Sequence, residues 1–341
     1  MKRIITISII SLLLTSPAHA YQELPWTELI LHPAKSTEAA QKLRLLPTTE
    51  EQTDTDAFPL YQKAIESLPD NFPQQQFSEW RKLPPDQLPA EQVESEIKKL
   101  QPTLDLVSRA TKSKNCNWPF IKPEQAQQQL MNDLSKYRQI CSVLNVQAKL
   151  QIAQGQFDSA IKTITTGITM AHNLGDAPTL IQGMVGISIA TLNVNMIEQF
   201  IQSDNSPSLY WALDNLPLPL VDINKAIKTE TDNLKNYNLL IRKQFEQQLK
   251  PAHDRVRKTM NYLDRKIAAL QCIEALRLYA DSHGGKFPEK LSDVTEVKIP
   301  DDPVTKKPFS YKSTGSEAVL ELEATEGSEG RDAVRYELKL K

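Results

Sequence analysis

The spacing of apolar residues changes at Gly284-Gly285, and this change limits what the C-terminal part of the chain can fold into. Before the glycine pair, apolar residues recur every three or four positions and so share one helix face. They are Leu263, Ile267, Leu270, Ile273, Leu276 and Ala280. Glycine adopts the left-handed conformation that ends helices at no steric cost. The pattern predicts a long helix over about residues 254–282 that ends at the two glycines.

After the glycine pair the apolar period becomes two, which is typical of strands with one buried face. The alternating residues are Phe309 and Tyr311, then Ala318, Leu320 and Leu322, and finally Val334, Tyr336, Leu338 and Leu340. The segment 312–316 is suited to a hairpin loop between the first two strands. This part of the sequence therefore predicts a small antiparallel β meander, which forms an α+β subdomain with the long helix.

The middle of the chain has the pattern of packed helices. Residues 124–177 contain no proline, and Gln154-Gly155-Gln156 is suited to a tight turn between two helices. A third helix, predicted over residues 179–202, is apolar nearly all round and should be the central buried helix. The small residues of the first hairpin resemble one tetratricopeptide (TPR) unit. Only one unit matches, so the prediction is a TPR-like helical-hairpin body and not a regular repeat array.

Residues 21–123 contain twelve prolines and no glycine. Proline cannot continue a helix interior, so this region should hold only short helices and extended joints. The most regular of them spans residues 90–110, with a kink or break expected at Pro102. A further helix over about residues 221–249 is charged and rich in glutamine, and Pro251 should separate it from the long helix. A solvated surface is the ordinary interpretation of that helix, and a partner-binding helix is the alternative.

The first twenty residues have the pattern of a secretory signal peptide. Lys2-Arg3 precede a short apolar run, and Thr15-Ser16-Pro17-Ala18-His19-Ala20 offers a cleavage site between Ala20 and Tyr21. The apolar run is shorter than the ~20 residues that a membrane-spanning helix needs. The sequence therefore predicts a periplasmic or secreted protein with no transmembrane segment after cleavage.

The expected plan has four parts: a signal peptide over 1–20, a Pro-rich short-helix region over 21–123, a helical-hairpin body over 124–251, and the long helix with its β subdomain over 252–341. Removal of Lys2 and Arg3 changes the formal charge from −2 to −4, which is close to neutral for this length. No basic stripe suggests nucleic acid or an anionic membrane as a partner.

Three cysteines remain after cleavage: Cys116, Cys141 and Cys272. The predicted compartment permits disulfides, but an odd number allows at most one internal bridge. A bridge between Cys116 and Cys141 is one interpretation. The other is three buried thiols that pack as small apolar residues.

The C-terminal fifth of the chain resembles the globular part of type II secretion pseudopilins. The residues that carry the resemblance are Ala275-Leu276-Arg277-Leu278-Tyr279, Gly285-Lys286-Phe287-Pro288, Asp302-Pro303 and Pro308-Phe309-Ser310-Tyr311. The resemblance implies a helix packed on a small sheet. The prepilin leader and the apolar assembly helix of that family are not present in this sequence, so filament assembly is not implied. The whole chain also resembles secreted bacterial helical proteins without an established activity.

No motif for catalysis, metal binding or a cofactor stands out, and we predict no catalytic residue, no metal ligand and no cofactor. The histidines lack metal-ligand spacing, and neither a nucleophile elbow nor a phosphate-binding glycine loop occurs. The acidic stretches 301–302 and 323–332 could hold Ca²⁺, although a solvated acidic turn is the more ordinary interpretation. Aromatic pairs at helix joints could line a binding groove or fill the core: Trp118 with Phe120, and Tyr210 with Trp211.

These patterns favour an extracytoplasmic scaffold or protein-interaction role over an enzymatic one. The expected partner is another envelope or secreted protein. Two alternatives stay open: a hydrolase of envelope polymers that uses carboxylates the sequence does not single out, and an accessory of a secretion system.

Overall fold

The computed structural model describes residues 26–119, 123–236, 238–326, 328 and 332–341. The predicted signal peptide, its cleavage site at Ala20 and Tyr21, and Phe120 lie outside these ranges. The described chain is mainly helical with a small sheet that contains the C-terminal strands. This is the fold class that the sequence predicts.

The Pro-rich region consists of short helices separated by extended joints, as expected. Thr37 and Asp56 cap two of these helices, each accepting a backbone N–H with its side chain at 3.1 Å. The helix predicted over 90–110 breaks before Pro102, which lies in the first turn of the second half. The elements are β1 (Thr27–Leu31), α1 (Glu38–Lys42), β2 (Thr53–Asp56), α2 (Ala57–Glu66), α3 (Gln74–Lys82), α4 (Ala90–Lys99), α5 (Gln101–Thr111) and β3 (Ser113–Asn115).

The body is a helical hairpin with a third helix packed on it: α6 (Pro123–Ala153), α7 (Phe157–Gly175) and α8 (Leu180–Ile201). Gly155 forms the tight turn with φ of 67°, a conformation that glycine adopts without strain. α8 contacts both other helices and lies at the centre, as predicted. Within the described ranges α8 is the helix long and apolar enough to cross a membrane, but 67% of its apolar window is buried in the protein. Core helices of soluble proteins show the same combination.

The last helix is longer than the sequence predicts. After α9 (Tyr210–Asp214) and α10 (Asn224–Asn233), α11 runs without interruption over Leu239–Ser282. The predicted break at Pro251 is wrong, and the boundary we placed between residues 251 and 252 falls inside this helix. Gln247, whose carbonyl Pro251 leaves without its helix partner, is exposed, so water can bond that carbonyl. Asn238 begins the helix, and its side chain accepts the N–H of Ile241 at 3.0 Å.

The main sheet has the strand order β1-β6-β5-β4, with β4 (Ser310–Ser313), β5 (Glu317–Leu322) and β6 (Val334–Leu340). The last three strands pair antiparallel, so the predicted meander is confirmed. β1 adds a fourth strand, parallel to β6, with Leu29 opposite Leu338. The sequence plan assigned β1 to the Pro-rich region, whereas the structure joins it to the C-terminal subdomain. A separate two-stranded parallel ribbon pairs β2 with β3.

A buried arginine binds the end of α11 to the segment that follows β1. The Arg277 guanidinium donates to His32 O at 2.9 Å, to Glu274 at 2.7 Å and to the Ser206 side chain at 2.8 Å. Ser208 donates to the second oxygen of Glu274 at 2.7 Å. Arg277 and Glu274 are both fully buried. Every charge in this cluster therefore has the hydrogen bonds that make burial of an ion pair tolerable.

A second buried arginine on the same helix holds the acidic C-terminal segments. Arg265 lies 3.1 Å from Asp302 and 3.5 Å from Asp332, and it also donates to the backbone oxygens of Asp332 and Glu323. Asp302 and Asp332 are each 1% exposed. The prediction of a solvated acidic turn is wrong for these two residues, because their carboxylates pair with Arg265. The described ranges contain no group of three or more His, Cys, Asp or Glu side chains suited to a metal ion.

Candidate partner-binding arm

The first 13 residues of α11, residues 239–251, form a segment that we name the arm. No residue of the arm is fully buried, and Ala252 is the first buried residue of the helix. At a rise of 1.5 Å per residue, the arm is ~20 Å long. Its tip carries three consecutive apolar side chains that are 67%, 82% and 39% exposed: Leu239, Leu240 and Ile241.

The apolar face of the arm continues the face by which α11 packs on the body. Val256, Met260 and Leu263 are buried on that face, at 5%, 8% and 0% exposure. Leu249 lies seven residues before Val256, and two further steps of four residues lead to Phe245 and Ile241. These spacings place all of them on one face of the helix. Leu249 and Phe245 are half-buried, and Ile241 is exposed. The protein therefore covers a core-type stripe at one end and leaves it progressively uncovered toward the tip.

The arm and the turns that follow it are basic. Residues 239–258 contain six Lys or Arg residues and two acidic ones, a net charge of +4, whereas the whole chain carries −2. The acidic residues pair along the helix, Glu246 with Arg242 at 2.7 Å and Asp254 with Arg257 at 3.8 Å. Two like-charged arms repel one another, so the charge favours an acidic partner over a second copy of this chain.

Polar contacts fix the helix to the body just after the arm. His253 lies 3.2 Å from Glu230, and the other oxygen of Glu230 accepts the N–H of Leu180 at 3.3 Å. Further on, Asp264 accepts the N–H of Leu220 at 3.0 Å. His172 donates to the carbonyl of the same Leu220 at 2.7 Å. His253 therefore holds the base of the arm on α10, which Glu230 joins to the start of α8, and Asp264 holds the helix further on to the segment before α10.

Burial raises the pKa of Asp264 to about 7, although the hydrogen bond from Leu220 acts in the opposite direction. The nearby charge of Asp222 raises the pKa further. No cation within the described residues forms an ion pair with Asp264. Its carboxyl therefore loses its proton close to neutral pH, so the contact between α11 and Leu220 is sensitive to pH.

Of the aromatic residues predicted as a groove, the three that the structure describes lie in packed surroundings. The Trp118 indole donates to Asn173 O at 2.8 Å and stacks on Tyr61 at a centroid distance of 6.4 Å. Tyr210 is 3% exposed, and its hydroxyl donates to Lys298 O at 2.6 Å. Trp211 meets Tyr210 edge-on at 5.6 Å. Trp118 and Tyr210 fill two separate joints between helices. This placement favours the interpretation that they fill the core over the interpretation that they line a groove.

All three cysteines are free thiols in the structure, so the bridge between Cys116 and Cys141 is not formed in it. Cys116 lies near Asp56, whereas Cys141 lies beside Asn193. Burial raises the pKa of Cys116 to about 12, and the charge of Asp56 adds to the effect. Burial also raises the pKa of Cys141 to about 12, and Asn193 donates to its sulfur at 3.8 Å. Raised pKa values make both thiols poor nucleophiles.

The sequence identified a charged helix here but not the exposed stripe at its start. The signal was the run Leu239-Leu240-Ile241 within a segment otherwise rich in charge and glutamine. Comparison of the chain with family models, curated proteins and solved structures gives no match. The function of the arm is therefore argued from its own residues.

Proposed function

We propose that this chain is an extracytoplasmic, non-enzymatic scaffold protein that binds another envelope or secreted protein through the arm. The observation that carries the proposal is the core-type stripe on α11, which emerges from the body on a basic helix and ends in three exposed apolar side chains. Exposed apolar residues that cluster in this way are typical of protein-binding surfaces. The signal-peptide pattern supports the extracytoplasmic location.

The chemistry of the arm indicates what the partner presents. Ile241, Phe245 and Leu249 step by four residues, so they suit an apolar groove or the face of a partner helix. The surrounding Lys and Arg side chains favour an acidic rim on the partner and faster association at low salt. Full burial of a Leu or Ile side chain contributes about 1.5–3 kcal/mol, so the tip supplies a useful anchor.

The arm is less suited to lying on a membrane surface. A helix that lies in a membrane interface carries its apolar face along its whole length. Within the arm the exposed apolar residues are at the tip, whereas Phe245 and Leu249 on the same face are half-buried by the protein. A protein groove that takes the end of the helix fits this distribution better.

The experiment is a binding measurement with a defined partner. Cross-linking in the cell envelope identifies candidate partners, and each is purified and titrated against the mature protein. We expect the triple variant L239Q/L240Q/I241Q to weaken binding at least tenfold, and binding to fall as salt rises. M184Q is the matched control, because Met184 is an apolar residue with 40% exposure outside the arm.

Three outcomes would refute the proposal. One is that every purified candidate binds the triple variant as tightly as the wild-type protein. Another is that the wild-type protein binds anionic phospholipid vesicles and the triple variant does not, since this would assign the arm to a membrane. The third is fractionation that finds the chain in the cytoplasm, which would remove the envelope setting.

The two other roles stay predictions. The hydrolase alternative needs accessible carboxylates, and Glu274, Asp302 and Asp332 pair with buried arginines instead. A role as an accessory of a secretion system rests on the resemblance of the tail to pseudopilins. Loss of secretion after disruption of the tail in cells would favour that role.

A further inference from the structure

A cavity of about 430 Å³ lies between the N-terminal region and the body, away from the arm. Three segments that are far apart in the sequence form its walls: residues 42–51 after α1, the end of α5, and the first half of α7. Its volume is within the range of sites for small molecules.

The cavity is basic. Four cationic side chains line it against two carboxylates, which leaves a net charge of +2. Lys42 pairs with Glu38, and Arg44 donates to the backbone oxygens of Gln41 and Leu43 at 2.8 and 2.7 Å. Lys112 and Lys162 make no ion pair with any residue that the structure describes. These two ammonium groups, from different walls, are therefore available to an anion.

The hydroxyl groups of the cavity present acceptors. Thr111 donates to Ser108 O at 2.9 Å, Thr165 to Arg44 O at 3.2 Å, and Thr166 to Lys162 O at 2.9 Å. A hydroxyl has one hydrogen to donate and two lone pairs to accept with. Because each hydrogen is already used on the backbone, these oxygens can accept a hydrogen bond from a ligand.

The two carboxylates of the cavity, like its hydroxyl groups, can accept hydrogen bonds from a ligand. Glu51 accepts the N–H of Thr48 at 2.9 Å and keeps further lone pairs, and Asp158 has no hydrogen bond within the described residues. A site for bare phosphate would not gain from carboxylates in its wall, since they repel the anion. A ligand that carries hydroxyl groups can instead donate hydrogen bonds to these carboxylates.

We infer that this cavity binds a small anionic carbohydrate, a sugar that carries a carboxylate or a phosphate group. Lys112 and Lys162 donate to the anionic group, and the threonine and carboxylate oxygens accept from the sugar hydroxyls. The two halves of the ligand match the two kinds of group in the wall. The site is independent of the arm, because no arm residue lines it.

Isothermal titration calorimetry of the mature protein at low salt tests this, with glucuronic acid, glucose 6-phosphate, glucose and inorganic phosphate as probes. We expect at least one anionic sugar to bind, glucose and inorganic phosphate to bind at least tenfold more weakly, and raised salt to weaken binding. K112A/K162A should weaken binding of the anionic sugar at least tenfold. K98A/K286A is the matched control, because it removes two exposed lysines outside the cavity and should bind as the wild-type protein does.

The result separates the parts of the inference. If neither anionic sugar binds, or if K112A/K162A binds as the wild-type protein does, the site is not where we place it. If inorganic phosphate binds as tightly as glucose 6-phosphate, the hydroxyl acceptors have no role and the carbohydrate assignment is wrong. If glucose binds as tightly as glucuronic acid, the lysines have no role. Circular dichroism of each variant shows whether it is folded.

Discussion

Replacement of Asp264 by Asn should make the protein more stable at neutral and alkaline pH. Asp264 is 6% exposed, and its carboxyl joins α11 to the segment before α10 by accepting the N–H of Leu220. Asn keeps the shape of the side chain, and its Oδ1 can still accept the N–H of Leu220, which lies 3.0 Å from the carboxyl oxygen. The substitution removes the charge that burial disfavours and replaces the second carboxyl oxygen by an NH2 group.

The size of the effect follows from the pKa. Burial raises the pKa of Asp264 from 3.8 to about 7 in the folded protein. The folded state therefore holds its proton where the unfolded state has lost it, and stability falls as pH rises from about 4 to 7. Each pKa unit corresponds to about 1.4 kcal/mol, so the loss reaches about 4 kcal/mol above pH 7. Below pH 4 both states are protonated and the loss vanishes.

The assay is urea unfolding of wild-type protein and D264N at several pH values between 4 and 8.5. We expect the two curves to coincide near pH 4 and D264N to be the more stable by up to about 4 kcal/mol at pH 8. D281N is the control: it removes an exposed carboxylate from the same helix and should leave the pH dependence unchanged. A difference between D264N and wild type that does not vary with pH would refute the reasoning.

Three further predictions concern the buried contacts. R277A should lower the free energy of unfolding by about 3–5 kcal/mol, since it leaves Glu274 as a buried, uncompensated charge; a loss below about 1 kcal/mol in urea unfolding would contradict the buried pair. G167A should lower stability by about 1–3 kcal/mol, because the added methyl group overlaps the side chain of Asn193. An unchanged thermal midpoint for G167A would show that the helices are less closely packed there. A thiol-reactive dye should count three thiols in guanidinium and at most one, the half-buried Cys116, in native protein. A count of one thiol in guanidinium would show that a disulfide exists.

Local patterns predict the elements of this fold better than the contacts between them. The alternation over Val334–Leu340 and the break before Pro102 are properties of neighbouring residues, and the structure confirms both. Pro251 shows the limit of local reasoning. Its helix continues because Gln247, which carries the unpaired carbonyl, is exposed and because the remainder of α11 is held by the core. The presence of a proline in the sequence reveals neither fact.

The two candidate sites show the same limit. The apolar tip of the arm is visible in the sequence, but its exposure depends on where the body stops covering α11. The cavity lysines, Lys112 and Lys162, stand 50 positions apart and come together only through the packing of α5 on α7. β1 gives a weak signal for the same reason: it has five residues, and its partner strand lies about 300 positions further along the chain.

The pairing of β1 with β6 has a consequence for the order in which the molecule can be assembled. A ribosome or a translocation pore delivers the chain from its N-terminus, so Leu29 waits for Leu338 while the intervening residues, about 300 of them, emerge. Until then the sheet lacks the strand that joins β1 to β5. Completion of the sheet is therefore tied to delivery of β6, and a product truncated before β6 would leave β1 exposed to proteases.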